Sequence, residues 1–575
     1  MEDTKLVPKN LGALFVISII IGLIAGLFSW LFRLLIGLVH NLAFLGQLSP
    51  QYDANIHTPP SYLGWLIIFV PVLGGIIVVY LIRNFAPQAK GHGVPEVMNA
   101  IYHERGLIPG NVSVVKAFAS AITIGTGGSL GREGPIVQIS AAFSSVIGRL
   151  LRVPVNQRNL FIACGASSGI AATFNAPLGG ILFSIELLLV TINSRTILPV
   201  AISTVVAANV GRYLIGSDPA FTIPALAQVQ ATSGALMTGL AVVLGALVGL
   251  LSLVFIRGIY FSEDFFDKMP VNAYLKHIIG SLILGVMFYA MYLHSGNYHI
   301  EGVGYASIQD VLWNSITDPW FLLLLMIAKL LATSLTIGSG GSGGVFSPSL
   351  FLGAVAGGFF GNLVALVFPD LGISPIIFVL SGMAAMVAGT TSAPLTAAII
   401  VYEMTLDYGA ILPIMAAVGV SYAVRRHFSV DDIYTLKLTR RGKYIPEGLT
   451  TDLKSFIRLK NVMYTKLSFL GEDDQVGEND EVVCVLADDK VCGVIDLHSY
   501  DIKGDRPIRE LTQRSFIVLN ADMTVSQAIE ELKDSHSGVA VISSSGELDQ
   551  ESVEGVVTSM HLIKVIGDTT RILRM

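Results

Sequence analysis

The chain has 575 residues, of which 53% are hydrophobic and only 14% are charged. A soluble protein carries about 25% charged residues. Residues 1–440 hold 40 of the 78 Asp, Glu, Lys and Arg side chains, and residues 441–575 hold the other 38. Because only the first part is depleted of charge as lipid requires, the composition excludes a wholly soluble protein. It predicts a membrane protein with a soluble C-terminal domain.

Further classes are excluded by missing features. The net charge of −6 gives no basic surface for nucleic acid. There is no G-x-x-x-x-G-K-[S/T] loop of an ATP-driven pump, and the His-Glu dipeptide at His103 has Leu107 where a zinc protease needs a second His. The cysteines are too scattered for a disulfide framework or a zinc site. We therefore expect no enzyme activity, no metal and no cofactor, with reduced thiols at Cys164, Cys484 and Cys492.

Apolar segments long enough to cross a bilayer, which takes about 20 helical residues, are predicted at 11–39, 62–83, 232–256, 272–293, 320–337 and 408–424. Between them lie apolar segments rich in Gly and Pro that do not predict simple spans, at 91–101, 112–150, 159–192, 338–365 and 375–405. Interrupted segments in matching positions of two halves point to a transporter binding site.

An internal repeat relates two such regions. Residues 116–135, KAFASAITIGTGGSLGREGP, match residues 329–348, KLLATSLTIGSGGSGGVFSP, at ten of twenty positions with a constant offset of 213. Residues 165–186 match residues 382–403 at an offset of 217, including an Ala-Pro-Leu tripeptide and a final Glu. These gapless matches include a rare intramembrane Lys, so they predict a duplicated membrane unit rather than a similarity of composition.

The chain is therefore predicted to divide into an N-terminal segment 1–10, a membrane domain 11–440 with repeat halves at about 62–215 and 272–439, and a soluble domain 441–575. The soluble domain shows short Val/Ile-rich strands that alternate with an amphipathic helix at 524–533. Thr524 is the predicted N-cap of that helix, and Gln527 three residues later completes a capping box. This pattern indicates an α/β module.

Three Gly-rich sequences stand at the start of apolar helical segments: GHGVP at 91–95, GREGP at 131–135 and GVFSP at 344–348. Each ends in Pro, which fits the first turn of a helix because its missing N–H costs nothing there. Helix N-termini directed at one point form a partially positive site for a dehydrated anion. They do so without a full charge, which would bind the anion too tightly for rapid release.

These motifs carry a family resemblance. GREGP, GVFSP, NAPL at 175–178 and the sequence Ile433-Tyr434-Thr435-Leu436 resemble, in order and spacing, the voltage-gated chloride channel family, CLC, of channels and H+/Cl− antiporters. The resemblance covers residues of about 11–575, and the tail resembles a pair of CBS domains with an abbreviated first module. It implies an all-α polytopic fold with an inverted repeat of about 18 helices, many not fully spanning. It also implies a homodimer in the cell membrane with one pore per subunit and cytosolic termini.

The resemblance further implies a chloride pathway in which Glu133 is the gate. The amides of Val345 and Phe346 and the hydroxyl of Tyr434 would coordinate the central anion. The remaining anion-binding candidates belong to the Gly-rich sequences: His92, Gly93, Arg132, Gly134 and Gly344. A carboxylate in this pathway competes with the anion for the same amides, and protonation removes the competition.

Alternatives remain for several of these residues. If Glu133 is not the gate, it is a structural partner of Arg132. If Tyr434 does not coordinate the anion, it is an aromatic anchor at the membrane–water boundary. Lys116 and Lys329 occupy equivalent positions before two of the loops. They either bond carbonyls and brace the helix ends or help to attract anions.

Antiporters of the family carry a proton-transfer glutamate immediately after the position that Glu186 matches, and here that residue is Leu187. Met98 likewise stands where many antiporters have another acid. A leucine cannot relay a proton, so this substitution favours passive, channel-like conduction. One alternative is an antiporter that uses Glu186 or a water chain. Another is a secondary transporter of a different anion, which would need a roomier site with side-chain donors.

Nucleotide binding in the tail is not expected. CBS modules that bind adenosine phosphates have an Asp three residues after the Ser or Thr that follows a Gly-Val-Val strand. The second module has His561 at this position after Thr558, and the first has Gly493-Val494-Ile495 followed at once by Asp496. We therefore expect a structural or dimer-stabilising role for the tail.

His92 generates a prediction, since most of the family has Ser at this position. A neutral imidazole donates one N–H to chloride, and a protonated one, with an ordinary pKa of about 6.5, strengthens the site. His92→Ser is therefore expected to flatten the pH dependence of chloride flux within about one unit of that pKa. An unchanged flux–pH profile in the variant would contradict this prediction. It would instead indicate that His92 forms a hydrogen bond with the backbone, away from the ion.

Overall fold

The computed structural model describes residues 11–223, 234–369, 374–406, 409–443, 445, 458–472, 474, 481–497, 508–535 and 537–562. The chain divides into two compact units, Met1–Leu449 and Thr450–Met575. The predicted N-terminal segment 1–10 lies outside the described residues.

Helices joined by loops make up the described part of the first unit. Its helices are α1 (Leu11–His40), α2 (Val70–Phe85), α3 (Val94–His103), α4 (Gly110–Gly125), α5 (Glu133–Leu150), α6 (Val155–Phe174), α7 (Pro177–Leu187), α8 (Ser194–Leu214), α9 (Gly234–Lys268), α10 (Ala273–Ser295), α11 (Tyr305–Leu312), α12 (Pro319–Gly338), α13 (Phe346–Val367), α14 (Pro375–Thr391), α15 (Pro394–Thr405), α16 (Ile411–Phe428) and α17 (Thr435–Thr439). A short π-helix extends α1, and a 3-10 helix precedes α2.

The repeat is visible in the backbone. α6 ends at Asn175 with φ 58° and ψ 33°, and α14 ends at Ser392 with φ 57° and ψ 25°. The next residues, Ala176 and Ala393, have φ of −120° and −118° before the Pro that starts α7 or α15. α5 packs on α6 as α13 packs on α14, and α7 and α15 pack on each other. The same sequence pattern thus produces the same breaks in both halves.

Seven helices in the described residues are long and apolar enough to cross a membrane. Two of them, Ser194–Leu214 and Phe346–Val367, are not predicted as simple spans by hydropathy along the chain. The first has the lowest mean hydropathy of the seven, 1.4. Its Ser203 and Thr204 hydroxyls bond the Val200 carbonyl within the helix, at 2.9 and 2.6 Å, so they cost little in an apolar environment. The predicted all-α polytopic fold class is confirmed.

Glycine lets the membrane helices approach each other closely. A Cβ added at Gly357 of α13 would overlap the Phe378 carbonyl oxygen of α14, and one at Gly382 of α14 would overlap the Gly353 carbonyl oxygen of α13. Small residues at helix interfaces allow this backbone contact in membranes, where no hydrophobic effect drives helices together. The close packing of α13 on α14 fixes the start of α13, which belongs to the candidate site.

The second unit contains two three-stranded sheets of the same topology. Its elements are β1 (Leu467–Gly471), β2 (Val482–Ala487), β3 (Lys490–Asp496), α18 (Ile508–Leu511), β4 (Ile517–Leu519), α19 (Val525–Asp534), β5 (Val539–Ile542) and β6 (Gly555–Thr558). In each sheet the first two strands are parallel and the last two antiparallel. The capping box of Thr524 and Gln527 is confirmed at the start of α19. Cys484 on β2 and Cys492 on β3 are free thiols, as is Cys164.

Candidate anion site

The loops before α3, α5 and α13 are joined by backbone hydrogen bonds. The Gly131 N–H donates to the Gly344 carbonyl at 2.7 Å, and the Gly344 N–H donates to the Gly131 carbonyl at 2.6 Å. Gly91 donates to the Gly341 carbonyl at 3.2 Å and accepts from Gly343 at 3.3 Å. The structure therefore brings together the three Gly-rich sequences and the first turns of their helices.

Side chains at the glycine positions would fill the space where the loops meet. A Cβ at Gly131 would overlap the Glu133 carboxylate, and one at Gly134 would overlap the His92 carbonyl. Gly93 has a φ of +90°, a conformation that residues with a side chain rarely adopt. The glycines in GHG and GREG are therefore needed because the backbones of these loops lie too close together for side chains.

The Glu133 carboxylate lies among hydrogen-bond donors at the start of α13. Its Oε1 accepts from the Tyr305 hydroxyl at 2.7 Å and also from the Ser347 hydroxyl. Its Oε2 accepts from the Ser347 backbone N–H at 3.3 Å. The Tyr305 and Ser347 hydroxyls are themselves 2.9 Å apart. Because Glu133 is only 3% exposed, these donors replace the water that a carboxylate needs.

The amides of Val345 and Phe346, which are the predicted anion donors, lie next to Ser347. Val345 and Phe346 are buried at 1% and 5% exposure. In the described part of the chain, neither of their backbone N–H groups donates a hydrogen bond. Buried N–H groups are nearly always paired, and the first N–H groups of a helix carry its positive end. An anion at this helix start would satisfy both requirements.

Arg132 contacts Tyr305 rather than Glu133. Its guanidinium carbon is 5.3 Å from the centre of the Tyr305 ring, and the described residues include no ion pair between Arg132 and Glu133. The other neighbour of the Tyr305 ring is Phe221, at 5.1 Å in an edge-on arrangement. Arg132 therefore lies close enough to support the tyrosine that holds the carboxylate.

Tyr305 and a fourth Gly-rich loop are missed by sequence analysis. Residues 302–305, Gly-Val-Gly-Tyr, correspond to residues 91–94, Gly-His-Gly-Val, at an offset of 211. Lys116 Nζ donates to the Ala89 and Gly91 carbonyls at 3.0 and 2.6 Å. Lys329 Nζ donates at 3.2 and 3.0 Å to the carbonyls 211 residues later, Ile300 and Gly302. Only a G-x-G pair signals this loop, because Ala306 stands where the first loop has its Pro.

The two lysines therefore bond carbonyls, as the bracing alternative predicts. Both are fully buried, and each holds the loop that precedes a short helix, α3 or α11. Unpaired carbonyls cannot be left to lipid, so the repeat supplies a cation at the same place in both halves.

Tyr260 contacts His92 and the residue before Tyr434. The rings of His92 and Tyr260 are 6.3 Å apart, and the Tyr260 hydroxyl donates to the Ile433 carbonyl at 2.7 Å, next to Tyr434. His92 is 1% exposed, and neither of its ring nitrogens has a partner among the described residues. Burial, with the nearby charge of Lys437, lowers the pKa of His92 well below its ordinary value, so the expected protonation near pH 6.5 is wrong and any effect of His92 on flux moves to more acidic pH. Tyr434 is 2% exposed and makes no described side-chain hydrogen bond. Since Tyr434 is buried, it does not serve as an exposed aromatic anchor.

Glu186 caps the start of α15. Its two oxygens accept from the amides of Leu395 and Thr396, at 3.0 and 2.8 Å, at the start of α15. Glu403, its equivalent in the repeat, accepts from the first amides of α7 at 3.0 and 2.7 Å. The two caps are reciprocal, as expected for a pair of repeated helices packed on each other. Leu187, beside Glu186, is buried at 6% exposure.

Comparison with known families agrees with this architecture. The family model described as voltage gated chloride channel matches residues 74–426, and the CBS domain model matches residues 508–568. The first match covers more than half of the chain. The chain therefore belongs to the voltage-gated chloride channel family, CLC, and functions in chloride transport across a membrane. The resemblance inferred from the motifs is confirmed.

Curated relatives include proton-coupled proteins. The H(+)/Cl(-) exchange transporter ClcA of Vibrio parahaemolyticus is 35% identical over 384 residues, which is 66% of this chain and 80% of that protein. ClcA of Vibrio cholerae is 35% identical over 356 residues, or 61% of this chain and 74% of that protein. A solved slow cyanobacterial Cl−/H+ antiporter is 25% identical, with a TM-score of 0.65 over 76% of this chain and 99% of that one. A solved eukaryotic CLC transporter shares the fold. It is 21% identical, with a TM-score of 0.60, and the match covers 95% of this chain and 97% of that one.

Removing the Tyr305 hydroxyl is expected to speed chloride flux. Tyr305→Phe keeps the ring beside Arg132 and Phe221 but loses the bond to Glu133. A hydrogen bond to a charged group contributes about 1.5–3 kcal/mol, so we expect flux from proteoliposomes to rise by about tenfold or more. Tyr213→Phe, at a tyrosine that is 89% exposed, is the control. Equal or slower flux in Tyr305→Phe would show that this bond does not hold the carboxylate in the path.

Proposed function

We propose that the protein conducts chloride passively through a pathway that the Glu133 carboxylate closes. The observation that carries this proposal is the position of Glu133 at the start of α13. The Glu133 carboxylate accepts hydrogen bonds from the Ser347 N–H and hydroxyl, which lie next to the unpaired amides of Val345 and Phe346. An anion and this carboxylate compete for one set of donors, and protonation of Glu133 removes its negative charge from the competition.

Passive conduction is supported by the surroundings of Leu187. A leucine carries no proton, and Glu186 next to it is already engaged by two backbone amides and the Thr396 hydroxyl. A carboxylate that caps a helix start in this way is stabilised where it lies. Glu186 is therefore a poor substitute for a proton carrier that must bind and release protons in each cycle.

Proton-coupled exchange is the second candidate. It is favoured by the relatives, since the two ClcA proteins at 35% identity are named H+/Cl− exchange transporters. Exchange here would require a water chain or Glu186 in place of the residue that Leu187 replaces. Transport of a different anion is a further alternative, which a flux panel of chloride, nitrate, fluoride and an organic acid would distinguish.

For the second unit we propose a structural or dimer-stabilising role, with both chain termini in the cytosol. His561, at the position of the nucleotide-binding acid, is 2.6 Å from the Val462 carbonyl through Nε2, and its ring lies 4.0 Å from that of Tyr464. Asp496 accepts from the Thr558 hydroxyl at 3.1 Å. These side chains are used within the unit rather than left for a nucleotide.

Neutralising the gate tests the main proposal. Glu133→Gln keeps the size of the side chain but removes the charge that competes with chloride. We expect flux at neutral pH to rise by about tenfold or more, since hydrogen bonds to a charged group are about twice as strong as neutral ones. Glu133→Gln flux as slow as that of the wild type would contradict the proposal.

Proton coupling is tested with a pair of variants that the repeat matches. In proteoliposomes with a chloride gradient and no proton gradient, passive conduction predicts no uphill proton movement by the wild type. Glu186→Gln and Glu403→Gln each weaken one of the reciprocal caps, so we expect similar and modest losses of thermal stability, about 1 kcal/mol each.

The two variants also separate the candidate functions. Uphill proton movement in the wild type would reject passive conduction. Its loss in Glu186→Gln together with its retention in Glu403→Gln would identify Glu186 as the proton carrier of an exchanger. Equal proton movement in both variants would instead leave a water chain as the route.

A further inference from the structure

Two histidines and an aspartate from distant parts of the chain meet away from the anion site. His57 lies in the loop between α1 and α2, His299 in the loop between α10 and α11, and Asp310 in α11. One donor atom from each of the three residues lies within 4.8 Å of the other two. His57 and Asp310 are 253 residues apart, so no spacing motif in the sequence indicates the cluster.

The geometry of these donors suits a metal ion. His57 Nε2 and Asp310 Oδ2 are 2.6 Å apart, and the rings of His57 and His299 are 5.0 Å apart in an edge-on arrangement. In a tetrahedral site with bonds of 2.0–2.2 Å, neighbouring donor atoms are about 3.3 Å apart. The observed separations, from 2.6 Å to at most 4.8 Å, bracket that value, so small side-chain rotations bring the three donors around one ion.

His299 is held as a metal-binding histidine usually is. Its Nδ1 is 2.8 Å from the Ser307 hydroxyl, while its Nε2 has no hydrogen bond among the described residues. A second partner on the other ring nitrogen normally orients a ligating imidazole and fixes its tautomer. His299 also has a φ of 41°, a conformation that is uncommon for a residue with a side chain. The surrounding loop thus fixes the ring although the backbone is strained.

An ion can reach the cluster. The His57 and Asp310 side chains are 23% and 30% exposed, whereas His299 is 5% exposed. One buried ligand and two partly exposed ligands leave a fourth position open to water, as in sites with three protein ligands. Two imidazoles and one carboxylate favour first-row transition metals over Mg2+ and Ca2+, which prefer oxygen donors.

We propose that His57, His299 and Asp310 form a binding site for a divalent transition-metal ion of the Zn2+ class. The ion joins the loop before α2 to α11. It therefore connects that loop to the helix whose first residue, Tyr305, donates to Glu133. This site is separate from the anion donors at the start of α13 and does not depend on whether conduction is passive or proton-coupled.

Calorimetric titration of the full-length protein tests the site. The protein is prepared without a histidine tag, stripped with a chelator and titrated with ZnCl2 in detergent micelles. We expect saturable binding of one Zn2+ per chain and a rise in Tm on addition of Zn2+, because an ion that binds only the folded state stabilises it. MgCl2 and CaCl2 are expected to give neither effect.

Variants assign the binding to these residues. His299→Gln and Asp310→Asn should each lower Zn2+ affinity by at least about tenfold and reduce the Zn2+-dependent rise in Tm. His294→Gln is the matched control, since the His294 ring also lies against Phe321, at 6.0 Å, but is outside the cluster. Size-exclusion profiles and the Tm without metal establish that the variants fold. Absence of saturable Zn2+ binding, or wild-type affinity in both cluster variants, overturns the proposal.

Discussion

Helices that end inside the membrane leave backbone groups that lipid cannot bond, and this constraint organises the first unit. Each half meets it with the same devices. A buried lysine, Lys116 or Lys329, donates hydrogen bonds to loop carbonyls. A buried glutamate, Glu186 or Glu403, accepts hydrogen bonds from the first amides of a helix. The start of α13 lacks such a cap. The amides of Val345 and Phe346 have no described partner, and the amide of Ser347 donates to Glu133. The proposed anion site lies where the internal caps are incomplete.

The lysines and glutamates at the repeat motifs thus divide into two groups by what they contact. The lysines and the paired glutamates contact backbone, and the repeat gives each an equivalent. Glu133 contacts mainly side-chain hydroxyls, and its equivalent position in the second half is Phe346. The proposed function accounts for this asymmetry, because one gate suffices for one pathway whereas both halves need their helix ends satisfied. The sequence alone does not separate the groups, since all these charges fall on repeat motifs.

Much of the fold and part of the site follow from local sequence. Hydrophobic length predicts α1, α10 and α12 closely, and the repeat predicts that the loops before α5 and α13 correspond. Tyr305 cannot be predicted in this way. It reaches Glu133 from a helix 172 residues away in sequence, and its loop lacks the Pro that marks the others. Ser194–Leu214 is missed because polar residues, above all Asn209 and Arg212, lower its hydropathy, although Asn209 bonds the Val205 carbonyl within the helix. Such contacts depend on tertiary packing, which periodicity does not report.

The buried acids bear on the choice between conduction and exchange. Glu133, Glu186, Glu403 and Asp432 are the acidic residues of the first unit that are buried in its described part. Three of them take pairs of backbone amides, Asp432 those of Tyr434 and Thr435 at 2.7 and 2.9 Å. Glu133 has one amide contact at 3.3 Å and otherwise hydroxyl partners, which can turn to other acceptors when the carboxylate leaves. A carboxylate held by rotatable donors can move, whereas one held by helix starts cannot move without uncapping them. Proton exchange through a second acid such as Glu186 would therefore require that acid to leave the helix start that it caps. Passive conduction requires only that Glu133 leave its hydrogen-bond donors.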